Sequence, residues 1–171
     1  MSTSFSRSGD GILRLKEAIT NPEPALKAIA QLLEAEVRQA FDSESSPKGR
    51  PWPALSETTL KLRKRGGIEG GSPLAGNKML RGRSGMLMGG ITAEHTKTRA
   101  AVKATGPASK YAGVHQFGNP DNKMPGGYAA PIPARPFLPV RLQGGRVVPD
   151  LSEDVLQDIR DILSRHMSGE R

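Results

Sequence analysis

The feature that most constrains this chain is a pair of amphipathic segments near its two ends, separated by a middle rich in glycine and proline. Aliphatic side chains recur at three- and four-residue spacing from Leu26 to Ala40, which predicts a helix over residues 23–42. The same spacing from Leu151 to Leu163 predicts a C-terminal helix, capped by Asp150 or Ser152. Most of the 20 glycines and 14 prolines lie between these segments and indicate loops.

Shorter elements are expected in the rest of the chain. The patterns predict helices at residues 10–19, 56–65 and 110–117, the second with Ser56 as N-cap. They also predict a hairpin of 91–96 with 99–105, and strands at 137–142 and 147–148 on either side of a Gly144-Gly145 turn. The glycine-rich stretch 66–90 is predicted to be an extended or mobile loop, with one helical turn near Ser84 to Met88.

The order of these elements predicts an α+β fold in a single domain over residues 1–171. We expect a small, mainly antiparallel sheet flanked by a long N-terminal helix and a C-terminal helix, with long Gly/Pro-rich loops between them.

The chain is basic, with 25 Lys and Arg against 17 Asp and Glu and a formal net charge of +8. Such an excess of positive charge is typical of a protein that is kept soluble by its charge. It is equally typical of a protein that contacts a polyanion such as DNA. The run from Lys61 to Arg65 sharpens the question, because it places four cations on one short helix. The run has no interleaved aromatics for base stacking and no helix-turn-helix or zinc-finger spacing. A phosphate-backbone contact and a basic surface facing solvent or protein therefore both stay open.

The sequence has no signature of an enzyme, a metal site or a membrane span. It contains no cysteine, which excludes disulfide scaffolds, thiol catalysis and Cys-based zinc sites. His95, His115 and His166 do not stand at metal-binding spacing, and the stretch from Gly71 to Lys78 has Asn77 where a phosphate loop requires lysine. No run approaches the roughly 18 apolar residues that a membrane span needs, and the N-terminus lacks the apolar stretch of a signal peptide. We expect a non-enzymatic protein without cofactor, metal or membrane, made in the cytoplasm.

Two segments in the middle of the chain are unlike ordinary loops. They are Tyr111-Ala112-Gly113-Val114-His115-Gln116-Phe117-Gly118 and Ile132-Pro133-Ala134-Arg135-Pro136-Phe137-Leu138. Each places an aromatic ring beside polar or charged groups. Pro133 and Pro136 restrict the backbone around Arg135, and Gly118 permits a left-handed turn that closes the first segment. The plainest interpretation is two tight turns over a small core, with Phe117 and Phe137 buried.

With these segments the chain resembles the phage virion morphogenesis proteins, the tail completion family of Mu-like phages. The pattern of that family has a Gly-Arg-x-Trp-x-x-Leu segment, a basic helix, a Thr/Ser-Gly-x-Leu segment, the two motifs above and a closing helix. This chain matches it in order and over nearly its whole length, at Gly49–Leu55, Ser84–Leu87, Tyr111–Gly118 and Ile132–Leu138. It departs from the pattern in a longer glycine-rich lead-in to Ser84 and in an insert at residues 141–148.

The resemblance implies a small α+β subunit that forms a ring, a hexamer, at the top of the tail. There it would complete or terminate the tail and offer a docking face to the connector of the head. Its partners would be further copies, tail-tube proteins and head–tail connector proteins, with a passing contact to genomic double-stranded DNA. Its location would be the tail or neck of the virion, after assembly in the host cytoplasm. The alternative is a DNA-binding assembly factor that uses residues 61–65.

The candidate site is a subunit interface or a structural node. Its residues are Trp52, Tyr111, His115, Gln116, Phe117, Arg135 and Phe137. A Gly/Pro loop separates the two motifs, so the chain can return and pack them together, and the planar fork of Arg135 can make several hydrogen bonds at once. We predict that Tyr111, His115, Phe117, Arg135 and Phe137 form one cluster at the edge of the sheet, near a subunit boundary. The alternative is that they hold together the turns of the monomer alone.

Overall fold

A computed structural model describes residues 4–64, 78–80, 85–121 and 131–169 of the chain. In chain order the elements are α1 (Ser4–Thr20), α2 (Glu23–Ser43), α3 (Glu57–Lys64), α4 (Met86–Gly89), β1 (Ile91–His95), β2 (Ala100–Ala104), a 3₁₀ turn (Gly106–Ala108), α5 (Ser109–Phe117), β3 (Val140–Gln143), β4 (Arg146–Pro149) and α6 (Glu153–Ser168). Strands β1 and β2 form one two-stranded antiparallel sheet, and β3 and β4 form another. The α+β prediction is confirmed, including the N-terminal and C-terminal helices.

Helices α3 and α6 begin at serines whose side chains accept from the free amides of the first turn, whereas α4 and α5 have no side-chain cap. Ser56 Oγ accepts from the amide of Thr59 at 3.2 Å, and Ser152 Oγ accepts from the amide of Val155 at 3.3 Å. The prediction of Ser56 is confirmed, and of the two candidates for the last helix, Asp150 and Ser152, the cap is Ser152. Helix α1 is longer than predicted and begins at Ser4, in a stretch whose serines and glycine lack apolar periodicity. The helical turn expected near Ser84 to Met88 is α4, and residues 65–77 and 81–84 of the long glycine-rich stretch lie outside the described residues.

The strand predicted at 137–142 starts later than the sequence indicates. Ladder pairing begins at Val140, opposite Pro149, and ends at the Gln143–Arg146 pair, next to the Gly144-Gly145 turn. Pro136 and Pro139 cannot donate to a ladder, so the chain before Val140 has no regular strand. Among the strands of the described residues, 146–149 pair with β3 alone, so these strands divide between two sheets instead of extending a single one.

By its contacts the chain divides into two compact units. We call the first the helical unit; it comprises Met1–Leu33, Ala93–Val102 and Ser152–Arg171. In it α1 packs against α6, and the buried apolar residues are Ala18, Ala25, Ile29, Ala30 and Val155. The ring of His166 donates from Nε2 towards the carbonyl oxygens of Ala18 and Asn21, both at 3.1 Å.

We call the second the motif unit; it comprises Glu34–Thr92 and Lys103–Leu151. Its buried apolar residues are Val37, Ala40, Phe41, Trp52, Leu87, Ile91, Ala108, Ala112 and Phe137. Since small residues make up much of both cores, the three aromatic side chains contribute a large share of the buried area of the motif unit. The prediction that the whole chain forms a single domain stays a prediction.

A backbone turn at Gly118 brings the two sequence motifs together. Gly118 has φ +77°, and an added Cβ would lie 2.9 Å from the amide nitrogen of Ala134 and 3.0 Å from the carbonyl oxygen of Ile132. Just after this turn, Asn119 and Ile132 exchange two backbone hydrogen bonds of 2.8 and 2.9 Å. The predicted glycine turn is confirmed, and the close approach explains why no larger residue fits there.

We predict that Gly118→Ala destabilises the protein by at least about 1–3 kcal/mol, because alanine combines an unfavourable φ with a backbone clash. Gly113→Ala is the matched control. Gly113 lies in α5, and in the described part of the chain no atom beyond its own helix backbone and chain neighbours lies within 4 Å of the position of an added Cβ. This second change should be neutral or should stabilise by about 0.5–1 kcal/mol through helix propensity. Urea unfolding of both variants measures the difference, and equal midpoints would contradict the close approach.

Candidate functional site

Three aromatic rings form the apolar base of the candidate site. Phe41 on α2 meets Trp52 edge-to-face with ring centroids 5.7 Å apart, and it meets Phe137 at 5.1 Å in a tilted arrangement. All three side chains are buried. Each such pair contributes about 0.5–1.5 kcal/mol beyond the area that it buries. The cluster therefore joins α2, the loop after it and the second motif.

The second motif is held by the side chain of Gln116 instead of by a β-ladder. Residues 131–139 contain four prolines and form no regular element. The Oε1 atom of Gln116 accepts from the amides of Phe137 and Leu138, each at 2.9 Å. Its Nε2 atom donates to the carbonyl oxygens of Leu138 and Val140, each at 3.0 Å. Gln116 is 2% exposed, so all four polar valences of its amide are used inside the protein.

The side chain of Arg135 fastens the same segment to the loop that carries Trp52. Its Nε donates to the carbonyl oxygen of Pro53 at 2.9 Å, and its Nη2 donates to that of Ala54 at 3.0 Å. The Arg135 amide donates to the carbonyl oxygen of His115 at 2.7 Å, which ties the segment to α5. The residue is 6% exposed. Hydrogen bonds from a charged donor contribute more than neutral ones, and the planar fork of arginine suits two successive carbonyls.

Trp52 closes the arrangement from the other side. Its indole Nε1 donates to the carbonyl oxygen of Pro136 at 2.7 Å, and Trp52 directly precedes Pro53 and Ala54, whose carbonyl oxygens Arg135 binds. The Trp52 loop and the proline-rich segment therefore hold each other by reciprocal side-chain-to-backbone hydrogen bonds. Because Pro136 follows Arg135 directly, the three contacts fall on one short stretch of chain.

His115 lies beside this node in a polar but confined environment. Its ring meets that of Tyr111 edge-to-face at 6.0 Å. Burial, and after it the positive charge of Arg135, lower the pKa of the His115 imidazole below its ordinary value. The ring is therefore neutral at neutral pH. Its Nδ1 atom is buried, and no hydrogen-bond partner lies within reach of it in the part of the chain that the structure describes.

The structure brings most of the predicted site residues together. Trp52, Gln116, Arg135 and Phe137 share the hydrogen bonds and ring contacts above, and Tyr111 and His115 join them through α5. Phe117 is half-buried at the end of the same helix. Since Gln116 also binds the carbonyl of Val140, the cluster lies at the start of β3. A place at a subunit boundary stays a prediction.

The sequence reasoning missed Phe41, which is fully buried and touches both other rings of the base. Phe41 stands four residues after Val37, so it continues the apolar face of the helix that the spacing had predicted. The central role of Gln116 had no comparable signal. A glutamine that replaces backbone pairing looks in sequence like any other polar residue of a short helix.

The chemistry of the site is that of a structural node. Within the described residues, His, Cys, Asp and Glu side chains do not gather in threes as a metal site requires. Across residues 4–64, 78–80, 85–121 and 131–169, no helix combines the length and the apolar character needed to cross a membrane. The node can fix one conformation of a proline-rich segment and present its outer face in a constant geometry.

We predict that Arg135→Ala destabilises the monomer by about 1–3 kcal/mol, because it strands the carbonyl groups of Pro53 and Ala54. Arg135→Lys should recover only part of this loss, since an ammonium cannot reproduce the planar fork. Arg99→Ala removes an exposed arginine with a 3.9 Å ion pair and should change stability by less than about 0.5 kcal/mol. Urea unfolding compares the three variants. Unchanged stability of Arg135→Ala, together with lost assembly, would favour the interface role over the structural one.

Comparison with known proteins agrees with the motifs. The model of the phage virion morphogenesis family matches residues 6–168. A relative from Haemophilus influenzae, named Mu-like prophage FluMu G protein 2, is 31% identical over 148 residues, which cover 86% of this chain and 83% of the relative. No solved structure matches the chain significantly. The chain therefore belongs to the phage virion morphogenesis family.

Proposed function

We propose that this protein is a non-enzymatic structural subunit that completes or terminates the phage tail and helps to join it to the head connector. The observation that carries the proposal is the family match over residues 6–168, which covers nearly the whole chain. A role in building the phage particle follows from the family. The finer role, a subunit of a ring in the neck of the virion, is our inference.

Exposed apolar side chains support an assembled working state. Ile19 on α1 is 69% exposed, and Leu142 and Val147 on the β3–β4 hairpin are 51% and 59% exposed. Isolated exposed apolar residues are ordinary, whereas neighbouring ones such as Leu142 and Val147 contribute to the kind of apolar patch that a partner covers. We propose that further copies of this chain, arranged as a hexamer, and the tail-tube and connector proteins provide that cover.

The internal node supports a role as a fixed spacer. The side chains of Gln116 and Trp52 bind backbone groups of the proline-rich segment, and Arg135 of that segment binds the carbonyl oxygens of Pro53 and Ala54. These contacts within the chain hold the segment in place. A subunit that links two larger assemblies gains from surfaces that are already rigid, because less conformational entropy is lost on docking.

A DNA-binding assembly factor is the second candidate, and the distribution of charge favours it. The sequence of the motif unit holds 16 Lys and Arg against 8 Asp and Glu, so the whole +8 excess lies there. The predicted basic helix is α3, on which Lys61 lies 3.6 Å from Glu57 in an exposed ion pair. In a ring, the same charge allows a passing contact with double-stranded DNA, or a contact with acidic neighbouring proteins. We favour the protein contact for residues 63–65, because tight phosphate contacts would slow DNA passage.

The proposal predicts six-subunit particles of the purified chain by native mass spectrometry. It further predicts that a phage that encodes this protein makes unjoined heads and tails when the gene is deleted, as seen by electron microscopy, and that plasmid-borne protein restores joining. Normal particles without the protein would contradict the proposal. The DNA-binding candidate instead predicts affinity for duplex DNA that falls by about 10³–10⁵ between 50 and 200 mM salt if 6–10 phosphates are contacted.

A further inference from the structure

His115 occupies a position in the node that suits a neutral imidazole and not an imidazolium. It lies in the last turn of α5, and its carbonyl oxygen accepts from the amide of Arg135 at 2.7 Å. Its ring Nδ1 is buried, and no hydrogen-bond partner lies within reach of it among the described residues. An imidazolium carries a proton on both ring nitrogens, so protonation would place an N–H group where the described chain offers no acceptor.

The charged group that acts on this ring is the guanidinium of Arg135, from the proline-rich segment. A guanidinium keeps its proton in proteins, so this positive charge is permanent. From its own helix the ring is met edge-to-face by Tyr111. Among the described residues no carboxylate acts on the ring to offset Arg135. A protonated His115 would therefore stand beside a second cation.

Both features oppose protonation of the folded protein. Burial, and after it the charge of Arg135, lower the pKa of His115 from its ordinary value of 6.5. When the proline-rich segment separates from α5, the ring meets water, loses its cationic neighbour and returns towards that value. Below about pH 6.5 the open form then binds a proton that the closed form does not bind, so acid favours opening. The stability that the neutral ring contributes is complete above pH 6.5 and is lost as the pH falls towards the lowered pKa.

The proline-rich segment is the part of the node that can respond to this change. Residues 131–139 contain no helix or regular strand. They close on α5 through the four hydrogen bonds of the Gln116 side chain and through the bond from the Arg135 amide to His115. Because His115 belongs to α5 and Arg135 to the segment, repulsion between their charges acts to separate the two.

We propose that His115 is an acid-sensitive latch of the node. As a neutral ring it lets the proline-rich segment close on α5, and as an imidazolium beside Arg135 it makes that segment open more often. The inference concerns the single chain and does not rest on the proposed ring. It gives the node a dependence on proton concentration that Gln116 and Trp52, which do not titrate, cannot supply.

Native-state hydrogen exchange at pH 7.5 and pH 5.5 tests the latch through the amides of Phe137 and Leu138, which donate to Gln116. The rates are divided by those of an unstructured chain at each pH to give the protection. Protection of both amides should fall by about threefold to tenfold between the two pH values. The upper limit holds because one proton changes an opening equilibrium by at most about tenfold for each pH unit below 6.5.

Substitution of the histidine assigns the fall to its ring. His115→Phe keeps an aromatic ring against Tyr111 but cannot titrate, so it should lose most of the fall. His95→Gln is the control, because it removes an exposed imidazole of β1 and should retain the whole fall. Circular dichroism checks that each variant is folded. If His115→Phe fails to fold, His115→Gln replaces it with the same expectation.

The outcomes decide the inference either way. A fall in protection that His115→Phe abolishes and His95→Gln retains supports the latch. Equal protection at pH 7.5 and pH 5.5 overturns it, and so does a fall that His115→Phe retains in full. An NMR titration gives an independent check, and a His115 ring that takes up its proton at or above pH 6.5 in the folded protein also overturns the latch.

Discussion

The side-chain amide of Gln116 is the interaction on which the motif unit depends. Proline-rich segments cannot pair through a regular ladder, since each proline lacks an amide donor. Four hydrogen bonds of the Gln116 side chain replace that ladder for residues 137–140. Because Gln116 is buried, water does not compete for these hydrogen bonds. Arg135 and Trp52 connect the segment to the loop that follows α2 by further hydrogen bonds. In this position Phe137 packs against Phe41.

Much of the fold was predictable, because it follows local rules. Apolar spacing gave α2 and α6, Ser56 and Ser152 marked two helix starts, and Gly118 marked the turn between the motifs. The node was predictable as a group of residues but not as a mechanism. Nothing local distinguishes Gln116 from a solvated glutamine, and the strand predicted to begin at Phe137 begins at Val140 because that glutamine captures the intervening backbone groups. Such a contact is set by tertiary structure, and periodicity does not record it.

The chain combines a rigid interior with exposed apolar side chains, which suits a component of a larger particle. Membership of the virion morphogenesis family indicates that this particle is a phage virion. The hydrogen bonds of Gln116 hold the proline-rich segment in one conformation. Leu142 and Val147, which face each other on the β3–β4 hairpin, are 51% and 59% exposed, which fits the proposed assembly. The charge is divided in the same way: the sequence of the helical unit is neutral, with 9 basic and 9 acidic residues, and the motif unit is basic.

The central claim is that residues 131–139 belong to the core through Gln116 and are not a surface loop. Native-state hydrogen exchange of the isolated protein tests this most directly, through the amides of Phe137 and Leu138. Both donate to Gln116 Oε1, so they should exchange as slowly as the α2 amides around Phe41. If they exchange as fast as the amides of the exposed Gly144-Gly145 turn, the segment is not held by this glutamine and the account is wrong.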